Sequence, residues 1–171
     1  MQCNIRTGDL LFFRPTGWIG RLICRLTRSE YCHVGIAEIV KGIIYIAEYR
    51  EFGFRYEMLR CVEKEWGLKA DVYRAEWLNS HHAKRVVDYM TSNPQRYGYW
   101  HIIASGLLRL FPVYVGKWLV HECERHSPHC SEAVCRAMKW ATGIDLVPGI
   151  PDWHTSPGDV VKAGKVVKIN G

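Results

Sequence analysis

The chain has 171 residues, 48% of them hydrophobic, with 23 Lys and Arg against 17 Asp and Glu, a formal charge of +6 at pH 7. That length and apolar content suit one domain, residues 1–171, with a real core, and exclude a disordered chain. The mild, scattered basicity falls short of a nucleic-acid footprint, so no nucleic-acid partner is expected. The seven cysteines are odd in number and irregularly spaced, which argues against a secreted disulfide framework.

The first residues lack the charged-then-apolar pattern of a signal peptide. The longest apolar run, Ile102 to Val120, is interrupted by Gly106, Arg109, Pro112 and Lys117, so no transmembrane segment is expected. A reducing cytoplasm, in a bacterial or phage-encoded protein, is the default home. In chain order, Gly8-Asp9 turns into Leu10-Leu11-Phe12-Phe13, a short buried strand. Trp18, Ile19, Leu22, Ile23 and Leu26 recur at helical spacing. Arg14, Arg21, Arg25 and Arg28 cluster around that helix, which reads first as a solvated face and second as one that meets an anionic surface. Residues 33–40 and 43–49 form a hairpin across Lys41-Gly42. Glu51 to Tyr56 and Ala70 to Ala75 are further strands.

The second half is more helical. A helix capped by Asn79 or Ser80 runs to about Met90, His101 to Leu110 is another, and Cys130 to Thr142 a third with Gly143 as its C-cap. Ser156-Pro157-Gly158-Asp159 marks a turn or short helix start before a Val-rich tail. A small sheet from the first half packed on helices from the second is an α+β layout.

Cys130 opens its helix. There the macrodipole and unpaired backbone N–H groups favour thiolate, the nucleophilic form, over thiol. A nucleophile of this kind needs a base, a group that orients the base, and donors for the developing oxyanion. His33, at the start of an apolar strand, is the candidate base. Pairing around Lys41-Gly42 sets residue 40 against 43 and His33 against 50, so Glu48 shares a face with His33 and can hold its imidazole. The N–H of Cys130 is the expected oxyanion donor. Cys135, one turn further in, reads as a small core residue. Glu132 reads as favourable charge in the first helical turn. Tyr31 and Trp18 are the expected cleft-lining residues, with Tyr97-Gly98-Tyr99-Trp100 and Trp118 as weaker ones.

The run Gly8-Asp9-Leu10-Leu11-Phe12-Phe13, then Cys32-His33-Val34-Gly35-Ile36, Glu48 and Cys130-Ser131-Glu132 resembles the circularly permuted NlpC-type branch of the papain-like cysteine peptidases and amidases, most nearly its YiiX-like group. Ser156-Pro157-Gly158-Asp159 resembles a segment near the end of such proteins. Cys32 stands where that family often has a small hydroxyl residue, and Ser127-Pro128-His129 is a more polar lead into the cysteine than usual. The resemblance implies a permuted papain-like fold: a small antiparallel sheet packed against helices. It also implies a triad of Cys130, His33 and Glu48, no cofactor, and cleavage of an amide, peptide or related acyl bond, cell-wall derived or lipid. The alternative on the same site is acyl transfer to a lipid or amine.

A second constellation competes for the same sulfur. Between His121 and Cys130 five of ten residues are His or Cys, and His121, Cys123, His126 and Cys130 form an alternative zinc set, for a non-enzymatic, metal-stabilised binding module. The spacing fits no standard finger, and the expectation is therefore no metal.

Overall fold

A computed structural model describes residues 4–50, 53–92 and 129–169. The expected helix 101–110, the aromatic cluster 97–100 with Trp118, and His121, Cys123 and His126 lie outside the described residues. So do Glu51 and Phe52; the strand expected there runs from Gly53 to Met58.

The order is β1 (Leu10–Phe13), α1 (Trp18–Thr27), β2 (His33–Val40), β3 (Ile43–Arg50), β4 (Gly53–Met58), α2 (Leu59–Trp66), β5 (Asp71–Arg74), α3 (Ser80–Ser92), α4 (Cys130–Thr142), a short 3₁₀ turn (Asp152–His154), α5 (Pro157–Lys162) and β6 (Val167–Lys168). The strands make one six-stranded sheet in the order β4-β3-β2-β1-β5-β6, every neighbouring pair antiparallel. The architecture is α+β, as the sequence predicts.

Both faces of the sheet are covered, which explains the unbroken apolar run of β1. Leu10 and Phe12 point into a core shared with Val34, Ile36, Ala47 and the inner sides of α3 and α4. Leu11 and Phe13 point the other way, into a core closed by Leu59 and Val62 of α2. Helix α2 is absent from the expected elements, although Leu59, Val62 and Trp66 stand at i, i+3 and i+7 and Gly67 ends the helix in the left-handed region. Helix α4 packs on β2 and against α3. Nine of its thirteen residues are buried, and they include alanines 133, 137 and 141, whose small side chains admit close neighbours.

The β2–β3 hairpin sets the site's geometry. Lys41 and Gly42 both have positive φ, 50° and 77°, the conformation of a two-residue turn whose twist suits the strands it joins. The register follows: Val40 faces Ile43, and Ile36 faces Ala47. Gly35 is required within it. A Cβ there would stand 2.6 Å from Cδ1 of Ile46 and 3.1 Å from the carbonyl oxygen of Ala47. Gly35→Ala should therefore overpack the hairpin and destabilise the fold by about 1–3 kcal/mol. The change is read as a lowered urea midpoint at unchanged m-value.

Candidate functional site

His33 is the first residue of β2 and Glu48 the sixth of β3. The hairpin register puts both on the sheet face that α2 covers. Nε2 of His33 lies 2.7 Å from Oε2 of Glu48, with the His33 side chain 6% exposed and the Glu48 side chain fully enclosed. Oε1 of Glu48 meets no donor among the described residues, so the imidazole carries the whole interaction. With Nε2 at the carboxylate, the ring's other nitrogen is Nδ1, and His33 and Cys130 lie close enough for each to shift the other's proton affinity.

The electrostatics follow from that contact. Burial opposes a charge on His33, but the facing Cys130 sulfur and the Glu48 carboxylate outweigh it and raise the imidazole above its ordinary value. Burial likewise opposes ionisation of Cys130. The His33 ring, the neighbouring His129 and the backbone N–H of Val34 outweigh it and hold the thiol below its ordinary 9.0. Cys32, next to His33 in the chain, shows the contrast: burial pushes its thiol up to about 12. Cys135 is 1% exposed and its thiol is pushed up by burial too.

Trp66 escaped the sequence analysis because its helix did. Its ring stacks on His33 at 5.6 Å between centroids and 20° between planes, and packs on Phe13 at 5.1 Å. The indole therefore packs against the plane of the imidazole from the α2 side of the sheet.

His129 is the other residue that sequence reasoning passed over, seen only as a polar lead-in. It is the N-cap of α4. Its Nε2 donates to the carbonyl oxygen of Thr155 at 2.8 Å, and its Nδ1 faces Oε2 of Glu132 at 3.1 Å. A carbonyl can only accept, so Nε2 carries a proton, and the Glu132 carboxyl beside Nδ1 favours a second proton there, which makes the ring an imidazolium. Burial opposes this, and Glu132 overcomes it and raises the ring's affinity for the proton. The other oxygen of Glu132 pairs with Nη2 of Arg136 at 2.6 Å. Glu132 is thus more than favourable charge in a first turn: it is a fully buried counterion. The Ser131 hydroxyl donates to the same Thr155 oxygen at 2.6 Å, which ties the start of α4 to the segment before α5. The main-chain bond from Ala133 N to His129 O is the first of the helix, so the N–H groups of residues 130–132 precede the ladder and stand beside the sulfur.

Tyr31 and Trp18, both expected at a cleft, are placed very differently. Tyr31 is 1% exposed, and its hydroxyl donates to Oδ2 of Asp71 at 2.8 Å with Tyr73 at 3.1 Å. Trp18 is 72% exposed on α1. Of the alternative zinc set, Cys130 alone falls within the described residues. Among those residues no three His, Cys, Asp or Glu side chains converge as a metal site requires.

Fold and site together define an α+β protein with a buried Cys–His–Glu chain where a helix start meets the first residue of a strand. The solved structure of the metalloprotein YiiX from Escherichia coli O157:H7 shares this fold, with a TM-score of 0.69 over 96% of each chain at 17% sequence identity. No family model matches the sequence, and no curated protein matches it.

A positive charge beside the sulfur lowers the pH at which it ionises, so removing one must raise it. Alkylation of Cys130 by iodoacetamide is expected to climb through pH about 7 in the wild type. In His33→Gln and in His129→Gln the midpoint should move upward, further for His33 because it touches the sulfur. An unshifted profile in both variants would contradict the ion-pair geometry.

Proposed function

We propose that this protein is a cysteine hydrolase of papain-like type that cleaves an amide, peptide or related acyl bond. The observation that carries the reading is the buried Glu48–His33 pair beside a thiol that His33 holds below its ordinary pKa. The fold shared with the YiiX structure over 96% of each chain is compatible with this reading.

In this reading the Cys130 thiolate attacks the substrate carbonyl carbon and a C–S bond forms. The oxyanion develops beside the N–H groups of residues 130–132, which precede the helix ladder. The His33 imidazolium gives its proton to the leaving amine or alkoxide as the C–N or C–O bond breaks, which leaves a thioester. Water then attacks the thioester carbon, His33 takes its proton, and the carboxylic acid departs with the thiolate restored. Glu48 holds the ring by Nε2, so that Nδ1 stays aimed at the sulfur and the imidazolium is stabilised through both proton transfers. Trp66 keeps the ring in plane, and His129 adds a fixed cation behind the nucleophile.

The test is labelling by a thiol-directed electrophile at substoichiometric reagent. One protein sulfur should react ahead of the others, and Cys130→Ala should abolish that reaction while leaving the fold intact. Equal labelling of wild type and variant would overturn the proposal, as would stoichiometric zinc in protein purified without a His tag, because a metal-bound sulfur is not free to attack. Glu48→Gln should retain the sheet and lower turnover of a reactive ester or amide probe by a factor of about 10²–10⁴, the range associated with loss of an effective proton-transfer partner.

A further inference from the structure

The inner face of helix α1 carries Gly20, Ile23, Cys24 and Thr27, all at least partly buried. A Cβ on Gly20 would stand 3.3 Å from the sulfur of Cys32, so the helix backbone lies directly against the residue that precedes His33. The Thr27 hydroxyl turns back to the carbonyl of Ile23 at 2.8 Å. The outer face carries Trp18, 72% exposed, and Leu22, 47% exposed, flanked by the exposed Arg21 and Arg25. At 100° per residue these four side chains span an arc of about 100°. The helix contains no acidic residue, and Arg21 and Arg25 form no ion pair among the described residues.

We infer that this outer face of α1 is a docking surface for an anionic phospholipid bilayer. The geometry matches what an interfacial helix needs. An indole and an aliphatic side chain lie beside two guanidinium groups on one face, so ring and methyls enter the headgroup boundary while the cations meet lipid phosphates. A second copy of the chain fits poorly, since a shared face would set Arg21 and Arg25 against their own kind. A nucleic acid would use the arginines and leave Leu22 in water. Docking of this kind lays α1 flat. Because the inner face of the helix abuts Cys32, it brings the Cys130–His33 pair within about a helix diameter, ~10 Å, of the lipid headgroups. The inference does not depend on the chemistry proposed for Cys130.

The experiment is co-sedimentation of the full chain with vesicles of phosphatidylcholine alone and of phosphatidylcholine with 30 mol% phosphatidylserine, in low salt. The protein is expected to sediment with the anionic vesicles only, and to be released by ~0.5 M salt, at which the Debye length falls to a few Å. Trp18→Ser, Leu22→Glu and the double variant Arg21→Glu/Arg25→Glu should each reduce the bound fraction, the double variant at least tenfold. Leu22→Glu and the double variant should keep the wild-type rate of Cys130 alkylation in solution, which separates lost docking from lost folding. Cys130→Ser should bind vesicles as the wild type does, so failure of the hydrolase proposal and failure of docking are read independently. Absence of binding to anionic vesicles in low salt overturns the inference. So does binding that Leu22→Glu and Trp18→Ser leave unchanged, since a purely ionic contact with any polyanion would behave that way.

Discussion

Glu48 has no exposed surface, and a carboxylate so far from water must be met by a hydrogen-bond donor or else take up a proton. The donor is Nε2 of His33 at 2.7 Å. This contact works only if β2 and β3 keep the register in which Val40 faces Ile43. A slip of one residue would turn His33 or Glu48 to the opposite face of the sheet. The tight turn at Lys41-Gly42 and the missing side chain of Gly35 both enforce that register. The hairpin is therefore a positioning device as well as a structural one.

The sulfur is approached from the other side by a second buried cation. His129 precedes Cys130, and its charge is held by Glu132, which is itself shared with Arg136. His33 is free to exchange a proton with whatever binds at Nδ1. His129 is not, because both its nitrogens are occupied by acceptors. The two imidazoles thus divide the electrostatic task, one mobile and one fixed. The cost of burying them is offset by a carboxylate beside each ring, Glu48 for His33 and Glu132 for His129. The carbonyl of Thr155 receives both His129 and Ser131, which makes the C-terminal segment a wall of the site. The Ser156–Asp159 capping box then starts α5 immediately beyond, and Gly158 lets that helix start approach Ser29 closely.

Around this centre the protein uses the sheet's two faces unequally. The face toward α3 and α4 carries the larger core and the helix that Cys130 opens. The face toward α2 carries His33, Glu48 and the Trp66 indole that stacks on the imidazole. Cys130 and His33 meet at the end of the sheet where β2 begins. Helix α1 lies against Cys32 beside that end, with Trp18, Leu22 and two arginines outward.

Local pattern was enough to read much of this from the chain. The run Leu10–Phe13, the turn at Lys41-Gly42, the helix start at Cys130 and the Gly143 stop are each written in a few adjacent residues, because turns, caps and strand periodicity are short-range effects. The pairing of His33 with Glu48 was legible for the same reason, since hairpin register is set by the turn that joins the strands. Helix α2 was overlooked although Leu59, Val62 and Trp66 carried its period, and Trp66 was lost with it. His129 and Tyr31 needed the tertiary structure. Whether a histidine is a solvated loop residue or a buried cation depends on Thr155, twenty-six residues away, and on how α4 sits against that segment. Whether a tyrosine lines a cleft or fills a core depends on Asp71 and Tyr73, on a strand that only the folded sheet brings alongside. Sequence determines which side chains one turn or one helix end will present; the partners that decide their charge come from distant segments, and only packing brings those together.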